Sequence, residues 1–370
     1  MFLVNSIIMR AVLDVLFIAA AVFLLLVLLQ AEFGSIPNAI KKVSSALGFN
    51  ITNGNANMST TSEASSSGNS TSVTVITTPH INQSSLANYT LQLINKDREQ
   101  YGLAPVKLSN TPSAQQHSNE MLYYDYFSHW NLLGMKPYMR YTLLGGTGSV
   151  TENVAYESQE QCTAVNCSGT LNPEQALQSM EYSMMYNDSI CCNNGHRDNI
   201  LDPNHNEVSI GVAYNSSNIY LTEDFINNYT IWRGNTPSFG SNGEIYLYGM
   251  LSPGYKIYQV YVSFDPPLVN LTRHTVPSGP YSYGSDIAGI VSGPLYFYKN
   301  ISTVVADVYN VAGENFTINF NIENLIKKYG PGEYTEMMIL NNTGTGSSFV
   351  GSTYTIFINR QGLQYVPKAV

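Results

Sequence analysis

The distribution of apolar and polar positions divides the chain into segments of different kinds. Residues 15–29 form an uncharged apolar run, and residues 51–84 contain almost no large apolar side chain. With its apolar neighbours, the run reaches the roughly 20 residues that are needed to span the hydrocarbon of a bilayer. A helix that is apolar on every face does not fit a protein surface. The pattern therefore predicts a transmembrane or signal helix within residues 1–35.

Two interpretations of this N-terminal helix remain open. An uncleaved signal anchor keeps the chain in the membrane, whereas a cleaved signal peptide releases it. The length of the run favours the anchor, because it lies at the upper edge of the roughly 7–15 residues of a signal-peptide core. Both interpretations export the rest of the chain, and residues 36–84 then serve as a flexible Ser/Thr/Asn-rich linker. We expect a single-pass membrane protein with an extracellular C-terminal part, or a secreted protein.

Helical periodicity and short apolar strands alternate between residues 85 and 235. A 3.6-residue repeat predicts helices that begin near Ser84, at Pro112 and at Pro173. Apolar runs at residues 208–214 and 218–225 predict strands. Helices that alternate with strands are typical of layered α/β packing, so we predict one α+β domain here.

A strand pattern dominates from residue 236 to residue 370. Short segments with period-2 character are separated by turn clusters such as Ser252-Pro253-Gly254 and Gly330-Pro331-Gly332. About seven short strands with this spacing are typical of a β-sandwich. We therefore predict an all-β, immunoglobulin-like domain. It contains no Cys and a single His, so we expect a structural or adhesive role for it.

Charge is scarce in this chain. Charged residues make up 12% of the sequence, and the formal net charge is −9. Nucleic-acid binding requires a cationic surface, and the sequence contains no Lys/Arg cluster that could supply one. Asn, Ser, Thr and Tyr provide the polar surface instead, and Asn-x-Ser/Thr sequons are spread from residue 50 to residue 341. This composition indicates an exported glycoprotein that does not bind nucleic acid.

The four cysteines predict disulfide bonds in an exported chain. Cys191 and Cys192 are adjacent, and we expect each to pair with Cys162 or Cys167. A four-thiolate zinc site is the alternative, but an adjacent Cys-Cys pair does not match the usual C-x₂₋₄-C spacing. The pairing itself stays open.

Histidine and carboxylate residues are the candidates for chemistry. His117, His129 and His196 lie in three short polar stretches, and Glu152 lies between the last two. Imidazoles and carboxylates bind divalent transition metals such as zinc, and they also act as general acids and bases near neutral pH. No His-Glu-x-x-His motif is present, so the spacing alone does not decide between these uses.

Short motifs in a fixed order resemble the CAP superfamily (cysteine-rich secretory, antigen 5 and pathogenesis-related proteins, or SCP domains). The resemblance covers about residues 84–235 and is greatest to the compact prokaryotic form. The motifs are His117-Ser, Phe-Ser-His129, Glu152-Asn153-Val-Ala, Gly195-His-Arg-Asp-Asn-Ile-Leu, Ser209-Ile-Gly-Val-Ala and Tyr220-Leu-Thr-Glu-Asp-Phe225. Each motif is weak alone, whereas the ordered series is specific. The resemblance implies an α/β/α sandwich with a central antiparallel sheet.

The resemblance also implies a cavity lined by two histidines and two acidic residues. His129, His196 and Glu152 match three of these by motif, and they are the predicted ligands of zinc or another divalent metal. The second acidic residue is either Glu181 or Asp188, near the end of the third helix. His117 either lines the cavity or only caps and packs.

Three functions fit this architecture. The first is a cell-surface binding module whose partner is a cell-envelope component, a lipid or a protein. The second is a metal-assisted hydrolase or peptidase, with Glu181 or Asp188 as its base. The third is a purely structural adhesin. No Ser-His-Asp or Cys-His nucleophile is evident in the sequence, which favours the binding module.

Overall fold

The computed structural model describes residues 82–162, 167–169, 171–296 and 298–367. The predicted helix at residues 1–35 and nearly all of the predicted linker at residues 36–84 lie outside these residues. In the part of the chain that is described, no helix is long and apolar enough to cross a membrane. Thr77–Val370 form one compact unit.

The first part of this unit, which we call the α/β half, covers residues 83–227. Its longer helices follow the apolar repeat of the sequence, because each buries one face against a central sheet. The helices are α1 (Gln83–Gln100), α2 (Ser113–Tyr124), α3 (Pro137–Leu143), α4 (Pro173–Tyr186), α5 (Asp188–Cys191) and α6 (Gly195–Ile200). The strands are β1 (Lys107–Leu108), β2 (Ser149–Ser158), β3 (Glu160–Cys162), β4 (Cys167–Gly169), β5 (Glu207–Tyr214) and β6 (Asn218–Asn227).

The ends of the long helices are set by local side-chain chemistry. Asn82 caps α1 by accepting a hydrogen bond from the backbone N–H of Ser84. Asn172 caps α4 in the same way, with Pro173 in the first turn. Both residues satisfy N–H groups that the helix itself leaves without partners. The helices predicted near Ser84 and at Pro173 are therefore confirmed.

The central sheet of the α/β half has the strand order β1-β5-β6-β2. β6 pairs with both β2 and β5 in antiparallel orientation, and the short β1 pairs with β5 in parallel. α1 and α4 pack together on the sheet, and their apolar residues share one buried cluster with β5 and β6. Gly211 lies on β5 where α2 crosses: a Cβ at this position would lie 2.2 Å from the carbonyl oxygen of Ala114. The absence of a side chain therefore permits the close approach of α2.

The second part, the β half, covers residues 230–358. The alternating pattern predicts most of its strands, and the structure confirms them as elements of two sheets around one core. The orders of these sheets are β12-β11-β10-β15-β16 and β13-β14-β9-β7, with β8 paired to β9. The elements are β7 (Thr230–Trp232), β8 (Ser238–Phe239), β9 (Glu244–Leu251), β10 (Tyr255–Asp265), β11 (Ser285–Val291), β12 (Ser302–Val305), β13 (Val308–Ala312), β14 (Asn315–Asn321), α7 (Glu323–Tyr329), β15 (Gly332–Asn342) and β16 (Ser348–Ile358).

The two halves share buried contacts. One apolar cluster contains Tyr138 and Met139 of α3 together with Phe357 of β16. The Lys136 ammonium lies 2.6 Å from Asp265 at the end of β10, and the Tyr138 hydroxyl donates to the same carboxylate at 2.6 Å. These contacts place the loop between β10 and β11, residues 266–284, against the α/β half.

Candidate functional site

The first part of the site is a pair formed by His129 and Glu152. Glu152 lies on β2, opposite Asp224 of β6, and its side chain is fully buried. His129 lies in the turn after α2, and its Nδ1 is 2.9 Å from Oε1 of Glu152. His129 keeps 14% of its side-chain surface exposed, so the imidazole remains accessible while its carboxylate partner does not.

A buried arginine fixes the charge of this pair. Arg140 of α3 donates to Oε2 of Glu152, and it also donates to the carbonyl oxygen of His129 at 2.6 Å. Burial by itself would raise the pKa of Glu152, but the Arg140 charge and, less strongly, His117 and His129 lower that pKa to about 2. Glu152 is therefore ionised at neutral pH, and both of its oxygens are engaged by side chains. The predicted liganding role of Glu152 stays a prediction, and this geometry favours a role in holding His129.

The second part of the site is a pair formed by His196 and Asp188. Asp188 begins α5 directly after α4, and His196 lies in the first turn of α6. The Asp188 carboxylate is 2.6 Å from Nδ1 of His196 through one oxygen. Its other oxygen accepts the backbone N–H of His196 at 2.8 Å and that of Arg197 at 3.2 Å. One carboxylate thus orients the imidazole. It also accepts hydrogen bonds from backbone N–H groups that the first turn of α6 leaves without partners in the helix.

The two pairs lie at one cleft with two lobes. Both lobes are lined by His129, His196, Cys192 and Gly279, so they meet at the histidines. The larger lobe has a volume of about 450 Å³ and is mostly apolar. The smaller lobe has a volume of about 290 Å³. Apolar or aromatic side chains in the larger lobe are Phe127, Val154, Ala155, Tyr156, Met180 and Met184.

Cys192 lies beside the second pair. Potential ligand atoms of Asp188, Cys192 and His196 all lie within 4.8 Å of one another, which is compatible with a metal site. Cys192 is, however, disulfide-bonded, and cysteine binds metals as a thiolate. The cysteine in this group can therefore bind a metal only when its disulfide is reduced. The side chains of Cys162, Cys167 and Cys191 lie outside the described part of the chain, so the predicted pairing stays a prediction.

The two remaining candidates from the sequence lie away from the lining of the cleft. His117 is buried in α2, where its Nε2 is 2.8 Å from the carbonyl oxygen of Ser128, and burial above all lowers its pKa to about 3. It is neutral and supports the turn that carries His129. Glu181 of α4 is also buried, and burial followed by the proximity of Glu223 raises its pKa well above the usual value. Of the two acidic candidates, Asp188 is the one that contacts a cleft histidine.

Asn153 connects the two pairs from beneath the cleft. It is fully buried, and its amide nitrogen donates to the carbonyl oxygen of His196 at 3.1 Å and to Glu223 at 3.3 Å. Asn199 donates to the amide oxygen of Asn153 at 2.8 Å. The residue that follows Glu152 thus fixes the backbone of the helix that carries His196.

Tyr281 is a site residue that sequence reasoning missed. It lies in the loop at residues 266–284 and lines the smaller lobe. Its ring centroid is 5.0 Å from that of His129, and its hydroxyl accepts the backbone N–H of Glu152 at 2.9 Å. No motif marks this tyrosine, because it is more than 120 residues from Glu152 in a region with strand-like patterning.

Comparisons with known proteins identify one family for part of the chain. The family model of the cysteine-rich secretory protein family, CAP, matches residues 91–231. One similar solved structure is an extracellular protein containing an SCP domain from Bacillus anthracis strain Ames, with 22% identity and a TM-score of 0.30. That similarity covers 40% of this chain and 41% of the other. No curated protein matches the chain significantly. Residues 91–231 of this chain are therefore a CAP domain of the cysteine-rich secretory protein family.

Proposed function

We propose that this protein is an extracellular binding module whose cleft takes a divalent transition metal between His129 and His196. One observation carries the proposal: the Nδ1 atom of each cleft histidine is held by a buried carboxylate. An Nδ1–H that donates to a carboxylate leaves Nε2 with its lone pair, which is the form of imidazole that binds metals. The residues present therefore fit a metal such as Zn²⁺.

The carboxylates support the histidines from outside the ligand sphere. Histidine ligands of zinc commonly donate their second ring nitrogen to a carboxylate, which fixes the ring and increases its basicity. Glu152 supplies this support to His129, and Asp188 supplies it to His196. Two imidazoles alone leave coordination positions for a bound partner, so a metal here favours the capture of a ligand in the cleft.

The shape of the cleft supports a partner with an apolar part. The larger lobe extends from the histidines along Val154, Met180 and Met184. A lipid or an apolar protein segment with a metal-binding group would fill both regions. The predicted anchor and linker would hold this module at the cell surface, facing the cell envelope.

Metal-assisted hydrolysis is supported less well by the bases that the sequence offers. Asp188 is engaged with His196 and with the start of α6. Burial and the nearby Glu223 raise the pKa of Glu181 and so disfavour its ionised form, and Glu181 does not line either lobe. A base must be ionised and within reach of the proton that it takes.

Elemental analysis of the full-length protein tests the proposal. After incubation with Zn²⁺ and gel filtration, we expect a stoichiometric amount of metal on the wild type. We expect loss of the metal in the double variant H129A/H196A and retention in H274A, because His274 is exposed and lies outside both lobes. A wild type without stoichiometric metal, or a double variant that retains it, would refute the metal site. Retained partner binding in the double variant would favour the structural adhesin.

A further inference from the structure

The β half contributes one wall of the cleft. Gly279 lines both lobes, and Pro280 and Tyr281 line the smaller one. Gly279 has a φ of +105°, a backbone conformation that side chains other than glycine rarely adopt. Gly279 therefore permits a backbone conformation that other residues rarely adopt at the cleft, and the next two residues line the smaller lobe.

Several bonds hold this loop on the α/β half. The Ser128 hydroxyl donates to the carbonyl oxygen of Pro277 at 2.6 Å, and the Lys136 ammonium donates to that of Ser282 at 2.9 Å. These two bonds lie on either side of Tyr281. The loop is thus fixed at the residues that flank the tyrosine, and its placement does not depend on the tyrosine alone.

We propose that Tyr281 is a positioning residue for His129, which makes the β half a component of the cleft rather than an appended stalk. Its ring packs against the imidazole in a tilted arrangement, at 5.0 Å between centroids and 59° between planes. Its hydroxyl holds the backbone of Glu152, whose carboxylate holds Nδ1 of the same imidazole. His129 is therefore restrained at its ring nitrogen by Glu152 and at one side by the ring of Tyr281, which also bonds to the backbone that carries Glu152.

The chemistry of this arrangement gives Tyr281 two separable functions. The ring shields one side of His129 from water and limits the rotation of the imidazole. The hydroxyl accepts an N–H of β2 that would otherwise lack this partner at the buried Glu152 position. A phenylalanine keeps the first function and loses the second, whereas an alanine loses both.

Site-resolved modification of histidine tests this inference independently of any metal. The full-length protein is treated with diethyl pyrocarbonate, and the modification rates of His129 and His196 are followed by peptide mass spectrometry. The two histidines have similar side-chain exposures of 14% and 17%, so His196 serves as an internal control. We expect Y281A to accelerate the modification of His129 several-fold and to leave that of His196 unchanged.

Tyr283 provides a matched control. It belongs to the same loop and packs on Tyr138 at 4.7 Å between centroids, and no ring contact with His129 is found for it among the described residues. We expect Y283A to loosen the interface without selective acceleration at His129, and Y281F to accelerate the modification of His129 less than Y281A does, because it keeps the ring and loses only the hydroxyl. An unchanged His129 rate in Y281A, or equal acceleration of both histidines in Y281A and Y283A, would overturn the inference.

A second measurement connects Tyr281 to metal binding and rests on the proposed function. Titration with Co²⁺ gives an affinity and an absorption spectrum that reports ligand geometry. We expect Y281A to weaken Co²⁺ binding by about tenfold, as is typical when the support of a histidine ligand is removed, and to change the spectrum. Y283A should change neither. If the wild type binds no Co²⁺, the proposed metal site fails, and the modification rates still decide whether Tyr281 positions His129.

Discussion

Replacement of Glu152 by Gln is the perturbation that the site geometry predicts in most detail. The carboxylate of Glu152 is fully buried, and it bonds to Arg140 through one oxygen and to His129 through the other. Glutamine has nearly the same shape but carries no charge. E152Q therefore leaves the buried guanidinium without its counter-ion and leaves His129 without an anionic partner.

The lowered pKa of Glu152 sets the size of the expected loss of stability. A carboxyl group with a pKa of about 2 in the folded protein, against an ordinary value of 4.5, stabilises the fold by about 3 kcal/mol at neutral pH. Removal of one partner of a buried ion pair costs about 3–5 kcal/mol, which agrees with this value. Because the folded-state pKa is the lower one, the stabilisation is complete above pH 4.5. It is lost as the pH falls towards 2.

Urea denaturation of the wild type and E152Q at pH 7 and at pH 3 measures this effect. The chain contains two tryptophans, and Trp130 follows His129 directly, so a W232F background makes fluorescence report on the site. We expect E152Q to lower the free energy of unfolding by about 3 kcal/mol at pH 7 and by clearly less at pH 3. An undiminished difference at pH 3, or no difference at pH 7, would refute the assigned role of the ion pair.

Three further predictions concern other parts of the molecule. D188N should weaken Zn²⁺ binding by about 10–100-fold in a competition titration, because the charge that orients His196 is lost. E336Q should raise the free energy of unfolding at pH 8 and change it little at pH 4.5. Glu336 is buried without a hydrogen-bond partner, and burial raises its pKa to about 8, so above pH 4.5 the wild type is progressively destabilised, by about 4 kcal/mol at pH 8. A parallel pH dependence in E336Q and the wild type would contradict this. G211A should lower the melting temperature by several degrees, because its Cβ would meet backbone atoms of α2; an unchanged melting temperature would show that α2 can shift without cost.

Local periodicity predicts the elements whose buried faces repeat regularly. α1 and α4 follow the 3.6-residue pattern, and strands such as β9 and β15 follow the alternating one. The alternating pattern does not predict β11, although the last five residues of this strand are buried. Its apolar run is short, contains a glycine and lacks the alternation that marks the neighbouring strands.

The site is predictable only where a motif carries it. His129 and His196 follow from the order of motifs, and both line the cleft. The choice between Asp188 and Glu181 requires three-dimensional information, since the two residues are close in the sequence. Only Asp188, which begins α5, contacts a histidine of the cleft. Tyr281 is even harder to predict from the sequence, because its role depends on how a distant loop packs against the α/β half.

The buried cluster shared by α3 and β16 has a consequence for where this protein can be divided. The family match ends at residue 231, but Phe357 packs with Tyr138 and Met139, and the Thr353 N–H donates to the carbonyl oxygen of Gly148 at 3.2 Å. A chain cut after residue 231 would expose this apolar surface and lose the loop that carries Tyr281. The end of the family match is therefore not a place where this protein can be divided, because the packing of the matched residues extends to the last strand, β16.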